Sequence, residues 1–395
     1  MTASNKNLSL YKTSKFSVIG LKGEDQCRRN DNDHKQRVHV ANASKGRSQI
    51  HTLKDGQRIP TMSLSLLTHA CKKSTSIHEK KSVSSTIWEY LEEFGFIILC
   101  VDKNSIPGKV IEDMKKTLHE KIFPDIGMQQ DQISDKFESI RRHNIGGLES
   151  GSLYVSERGV PMWRVGYELC EGEIREAFRV HAGSPDSQPW QSDAVRNNWI
   201  RAMHLCRYIC DIALDLTLGY DLKKRRGSGL KSWMNCSSVP PIGEISDRHD
   251  DYSVFYAMNY FNDMQSKVAQ ERDQVIGSDN ELLNVKEHVD PSLFVIEPFL
   301  PDIEGLQVQS TKGTQWITCD GKASPIHDVV SAKQEFAMVL FQGRAFAKCA
   351  HTLQGRQIKP TNHRVIAARR DENKQRRTMI YEQKYAEYFS EAIMD

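Results

Sequence analysis

The sequence lacks any apolar run long enough to cross a bilayer: about 18 residues are needed, and residues 94–101 make only a short core segment. It also lacks a charge bias. Its 54 Lys and Arg stand against 51 Asp and Glu, a formal +3, too near neutrality to draw the chain onto nucleic acid or an anionic surface. Neither membrane nor nucleic acid is therefore an expected partner. No Cys-x-x-Cys occurs, and the nine cysteines are odd in number and scattered. That pattern argues against a disulfide framework or a zinc ribbon and for reduced thiols in a cytoplasmic protein. There is no His-Glu-x-x-His, the usual helical signature of a zinc hydrolase, and no internal repeat.

What is present is a globular balance of 38% hydrophobic and 27% charged residues over 395 positions, enough for one large enzyme domain or two ordinary ones. Residues 1–57 are polar and aperiodic. Lys6, Lys12, Lys15 and Lys22 precede the first acidic residue, Glu24. The segment reads as a disordered extension, or as a transit peptide that would send the chain to an organelle.

Order is expected from Ile59-Pro60, with a short strand over residues 59–67, a helix over 82–94, a buried strand over 95–101 and a second helix over 107–123. A long helix follows over residues 187–218, its Trp199, Met203, Cys206, Ile209 and Ala213 stripe facing a core. After Gly219 and the basic loop Lys223-Lys224-Arg225-Arg226, short strands replace helices. They are expected at residues 253–260, 288–297, 306–309, 315–318, 337–341, 363–368 and 377–381, then a polar helix at 382–393. An uninterrupted block of short strands predicts a sandwich or jelly roll.

The candidate chemistry begins at Glu287-His288-Val289-Asp290-Pro291. On one strand, residues two apart share a face, so His288 and Asp290 would present an imidazole and a carboxylate side by side. A third ligand from another strand would complete a 2-His-1-carboxylate facial triad that leaves coordination positions open, as oxygen-activating Fe(II) requires. His249-Asp250-Asp251 is a competing His-x-Asp, and His327 and His351 are further histidines in the region.

Downstream of Asp290 come Gly305-Leu306-Gln307-Val308, Gly313-Thr314-Gln315-Trp316, Gly343-Arg344, Asn362-His363-Arg364-Val365 and Arg376-Arg377-Thr378. In this order they resemble the isopenicillin-N-synthase-like branch of the 2-oxoglutarate- and Fe(II)-dependent oxygenases, over residues 58–390. The resemblance implies a double-stranded β-helix (jelly-roll) core over residues 234–395 with a carboxyl-terminal helix, preceded by an α/β amino-terminal region at 58–233. It implies Fe(II) on His288, Asp290 and His363. It further implies 2-oxoglutarate held by Arg376 and Thr378, with O₂ as co-reactant and ascorbate as an accessory reductant. Asn259 and Tyr260 match the family's Asn-x-Tyr only in part and are weaker candidates for the cosubstrate. Arg344 replaces an expected Asp. The implied substrate is a small molecule, with algal enzymes that close rings on amino-acid-derived acids as the nearest texture, and the implied protein is a monomer. An Fe(II) oxidase that uses no 2-oxoglutarate and an inactive barrel serving as a binding module remain the alternatives.

Overall fold

Among the described residues, serines cap the four α-helices of the amino-terminal half. The computed structural model describes residues 48–52, 56–123, 153–155, 161–163, 166–170, 175–182, 190, 192–219, 251–260, 277, 279, 281–310, 315–322, 324–331, 335–367, 375–385 and 388. Strand β1 (Ser48–Thr52) pairs antiparallel with β2 (Arg58–Ser63). Ser63 then accepts the Leu66 N–H at 3.2 Å and opens α1 (Leu64–Ala70). A reciprocal Ser76–Glu79 capping box opens α2 (Ile77–Glu93), and the buried β3 (Phe96–Asp102) follows. Ser105 caps α3 (Ile106–Thr117), whose last turn widens into a π-helical turn (Leu118–Ile122). The short β4 (Leu153–Val155), β5 (Pro161–Trp163), β6 (Gly166–Cys170) and β7 (Arg175–His181) lead to α4 (Asp193–Leu218), capped by Ser192. Gly219 closes α4 at φ +71°, a conformation that glycine adopts without strain.

The carboxyl-terminal half comprises β8 (Val254–Tyr260), β9 (Leu283–His288), β10 (Phe294–Glu297), β11 (Leu306–Gln309), β12 (Trp316–Thr318), α5 (Pro325–Ser331), β13 (Glu335–Gln342), α6 (Arg344–Gln354), β14 (His363–Ile366) and β15 (Arg376–Glu382). One sheet has the order β1-β2-β3-β13-β10-β15-β8-β7-β6, the other β12-β11-β14-β9, and β4 pairs with β5 alone. Along the chain β8, β10, β13 and β15 enter the large sheet, while β9, β11, β12 and β14 enter the small one. That alternation is the winding of a double-stranded β-helix, so the expected jelly-roll core is present. The amino-terminal region extends its large sheet at both edges.

The two faces of the large sheet bury different things. Phe178, Phe255, Ala257, Met379 and Tyr381 lie in the main core, where Trp199 of α4 meets the rings of Phe178 and Phe255 edge-on at 5.0 and 5.1 Å. Ala177, Met258 and Tyr260 point the other way and cluster with Val365 of the small sheet. The interior between the sheets is this second face. No helix among the described residues is long and apolar enough to cross a membrane.

Several sequence expectations shift. Order begins earlier than residue 59, because Ser48–Thr52 is paired. The strand expected over 59–67 stops at Ser63, whose side chain caps a helix instead. The segment 288–297 is two strands in different sheets, broken after His288. Glu382, expected to start a closing helix, ends β15. The helix α6 is absent from the sequence expectations: the capping residue before it, Gly343, offers no side-chain cap, although Ala345, Phe346, Cys349 and Ala350 repeat at helical spacing. The Lys223–Arg226 loop, His249, the long stretch after Phe261 and most of the closing helix lie outside the described residues.

Trp199 is fully buried, so Trp199→Ala should cost about 3–5 kcal/mol in denaturant unfolding. A loss well under 1 kcal/mol would contradict the packing of α4 on the sheet.

Candidate metal centre and barrel interior

His288 and His363 face each other because β9 and β14 pair antiparallel with those two residues in register. Their ring centroids are 4.1 Å apart. Each Nδ1 faces a carbonyl oxygen, that of Lys286 for His288 (2.8 Å) and that of Thr361 for His363 (3.4 Å). An Nδ1–H donated there leaves both Nε2 atoms free as ligands, the usual orientation of metal-binding imidazoles. They converge on Asp290, with His288 Nε2 3.5 Å from Oδ1 and His363 Nε2 3.3 Å from Oδ2. All three residues can place a ligand atom within 4.8 Å of the others.

Asp290 reaches this point from a turn beyond the end of β9, and not from the same strand face as His288. The turn is held by the start of α6. Arg344 N–H donates to the Asp290 carbonyl (2.8 Å), Gly343 N–H to Leu293 (2.8 Å) and Ala345 N–H to Ser292 (3.2 Å). A Cβ on Gly343 would lie 2.1 Å from the Ser292 carbonyl oxygen, so the approach requires glycine. The Gly343-Arg344 step thus positions a ligand through its backbone, while the Arg344 side chain is exposed. The segment before His363 is pinned as well, with Thr361 Oγ1 on the Gly95 carbonyl (2.5 Å) and the Gln342 amide on that of Lys359 (2.7 Å).

Charge suits a cation here. Burial opposes ionisation of Asp290, but the imidazole of His363 and the hydrogen bond from His288 hold its carboxyl down at about 2. Burial lowers the pKa of His363 against the attraction of Asp290, a shift toward the neutral imidazole that a metal ligand must be. Burial also works against the charged form of His288, yet its hydrogen bond and attraction to Asp290 prevail and raise it. Two imidazoles and one carboxylate match a borderline first-row dication. The His288 side chain is 40% exposed against 7% for His363, so access is from the His288 side.

The remaining motif residues lie in a second layer. Arg364, turned away from the triad, is fully buried and donates to Gln307 (2.8 Å), pairs with Asp279 (2.5 Å) and Glu287 (3.2 Å), and stacks over Trp316 at 4.1 Å. The Gln of Gly-Leu-Gln-Val, the Trp and the Arg of His-Arg-Val therefore form one network joining β9, β11, β12 and β14.

Arg376 and Thr378 share the interior face of β15 and are both fully buried, whereas Arg377 faces the other way, with Gln375 as acceptor at 2.8 Å. Arg376 is not without a partner. Its Nε and Nη2 lie 2.7 and 2.5 Å from Asp320 Oδ2, its Nη2 lies 3.4 Å from Glu297, and its guanidinium lies 5.3 Å from the centre of the Tyr260 ring. A Cβ on Gly305 would meet Arg376 Cδ and Nε at 2.3 Å, which explains the glycine of Gly-Leu-Gln-Val. Asn259 lies on the opposite face from Tyr260 and donates to Glu176 (2.9 Å) and Gln375 (3.0 Å), away from Arg376.

Of the competitors, Asp251 is buried against Arg207 at 2.8 Å, and His327 and His351 sit on α5 and α6 outside the triad. Sequence reasoning missed Glu297 and Asp320, and also the interior group in which Tyr256 donates to Glu382 (2.6 Å) and Lys384 pairs with Glu382. A charged residue at an interior position of a strand, as at Glu297 in Phe294–Glu297, is the signal that could have exposed them.

No protein-family model matches the chain, and no curated protein does. Among solved structures, it is similar to a full-length Neurospora crassa protein in complex with alpha-KG and 5-formyluracil, at 17% identity over 85% of this chain and 87% of that one, TM-score 0.49. It is also similar to the dioxygenase for auxin oxidation of rice (12%, 82% and 83%, TM-score 0.45). A third is dioxygenase for auxin oxidation 1 from Arabidopsis thaliana, in a 2-oxoglutarate complex (14%, 83% and 92%, TM-score 0.39). With TM-scores below 0.5, these similarities carry no argument about chemistry, which rests on the residues above.

Added Mn(II) should raise the melting temperature of the wild type, since a ligand bound only to the folded state stabilises it. Asp290→Asn and His288→Ala should fold without that metal-dependent rise. Gly343→Ala, which displaces the Asp290 turn, should weaken Mn(II) affinity by about 10- to 100-fold. Metal-dependent stabilisation that survives Asp290→Asn would place the metal elsewhere.

Proposed function

We propose that the chain is a mononuclear non-haem Fe(II) oxygenase that consumes 2-oxoglutarate and O₂ to oxidise a C–H bond of a small molecule. The observation that carries this reading is the convergence of His288 Nε2, His363 Nε2 and the Asp290 carboxylate at one point between the two sheets. Three protein ligands on one side leave positions for a chelating cosubstrate and for O₂.

Iron with 2-oxoglutarate supplies the oxidising chemistry, and the protein supplies geometry and a water-poor interior. His288, Asp290 and His363 hold the metal, with Thr361 and Lys286 carbonyls fixing the imidazoles. Arg376 and Thr378 offer a guanidinium and a hydroxyl on one face, suited to the distal carboxylate of the cosubstrate. Tyr256, Glu382 and Lys384 give the interior hydrogen-bonding and charged groups, which suit a polar substrate better than a hydrocarbon. An amino-acid-derived acid that undergoes hydroxylation, desaturation or ring closure is the finer reading, with the protein acting as a monomer in the cytoplasm.

One observation favours a second reading, an Fe(II) oxidase of the same fold that uses no 2-oxoglutarate. Arg376 is already neutralised by Asp320 and Glu297, so it does not need an anionic cosubstrate to balance it.

Both readings meet one assay. Purified protein with Fe(II) should convert 2-oxoglutarate to succinate, and removal of iron by a chelator should stop it. Arg376→Lys keeps the charge but loses the planar fork, so the 2-oxoglutarate constant should rise about 30- to 150-fold, while Arg377→Lys should change it little. No succinate under any condition, or equal effects of the two substitutions, would favour the second reading.

A further inference from the structure

The two carboxylates around Arg376 are held in different ways. Asp320 is fully engaged: Oδ1 accepts the N–H groups of Gly305 (2.7 Å) and Leu306 (2.9 Å), and Oδ2 accepts from Arg376. It fixes the start of β11 and the guanidinium together. Glu297 is held loosely. Its Oε2 is 3.4 Å from Arg376 Nη2 and 3.2 Å from Thr378 Oγ1, and among the described residues no backbone donor reaches it. Those two contacts are the pair that the oxygenase reading assigns to the distal carboxylate of 2-oxoglutarate. Glu297 therefore occupies, with its own carboxylate, the place in which a cosubstrate carboxylate would be recognised.

Electrostatics makes the two mutually exclusive. One guanidinium between two ionised carboxylates is already overbalanced, and a third carboxylate in a buried site would be repelled by both. The geometry points to Glu297 as an internal competitor of the cosubstrate: its carboxylate holds the Arg376–Thr378 pair and must yield before 2-oxoglutarate can enter. This rests on the 2-oxoglutarate reading of the site. Yielding means rotating away or taking up a proton, and the surroundings favour the proton. Burial, joined by repulsion from Asp320, outweighs Arg376 and raises the Glu297 carboxyl to about 7. The groups facing it are Arg376 and Thr378 of β15, Asp320 and Cys319 after β12, and Tyr260 of β8 behind the guanidinium. Its cross-strand neighbour on β13, Val339, cannot ionise. Cys319 is itself held neutral, its thiol pushed well up by burial. A raised carboxyl is ionised only above its shifted pKa, so competition is strongest at high pH and fades as pH falls through about 7.

The test is calorimetric titration of 2-oxoglutarate into Mn(II)-loaded protein, which reads binding without turnover. At about pH 8, Glu297→Gln should bind 2-oxoglutarate about 10- to 100-fold more tightly than wild type. Wild-type affinity should improve as pH is lowered to about 6.5, and the variant should show little of that improvement. Titrating the wild type in buffers of different ionisation enthalpy needs no variant, and about one proton should be taken up per cosubstrate bound at about pH 8. Equal or weaker binding by Glu297→Gln, or no proton uptake by wild type, overturns the competitor role while leaving the oxygenase reading intact. Absence of 2-oxoglutarate binding to both proteins overturns that reading and the competitor with it.

Discussion

The site depends first on the register between β9 and β14. Side chains alternate along a strand, so a slip of one residue would send His363 outward and bring Arg364 into the barrel. The outer network guards against that slip. Arg364 is anchored by Gln307, Asp279, Glu287 and the face of Trp316, partners that exist only on the outer side of the small sheet. A buried guanidinium deprived of such partners would be strongly destabilising. The same residue triplet thus places one side chain on the metal point and its neighbour in a structural clamp.

The second constraint is the approach of α6 to the Asp290 turn. A carboxylate ligand on a turn would lack the rigidity that a strand supplies. Three backbone donors at the start of the helix, made possible by glycine at position 343, supply it instead. Gly305 plays the parallel role at the far end of β15, where a missing side chain admits Arg376. Both glycines stand where two backbone or side-chain groups must approach closely, and neither adopts a positive φ. The interior therefore holds the histidines of the metal site on the small sheet and Arg376 with its two carboxylates on the large one, whose other face is an apolar core packed on α4.

Much of this can be read from the sequence because the informative residues are local. His-x-Asp, Gly-Leu-Gln-Val, His-Arg-Val and Arg-x-Thr each occupy a few consecutive positions, and strand alternation then fixes which members share a face. That rule alone puts Arg376 and Thr378 on one face of β15, where the structure has them. The rule misleads at Asp290, where the pair His288 and Asp290 spans a strand end. It is silent on Glu297 and Asp320, which reach Arg376 across the barrel from distant parts of the chain, and no local pattern announces such a meeting. Strands β4–β6 escape sequence reading because elements of three to five residues give little periodic signal, whereas helix α6 has helical spacing but no side-chain cap to mark its start.

The central claim is that one metal ion is bound by His288, Asp290 and His363 inside this barrel. The most direct measurement is an anaerobic crystal structure of the protein with Fe(II) or Mn(II) and 2-oxoglutarate, with the metal located by anomalous scattering. The expected result is a single metal about 2.0–2.2 Å from His288 Nε2, His363 Nε2 and an Asp290 carboxylate oxygen. A metal bound through His327 or His351, or one for which Asp290 is not a ligand, would contradict it.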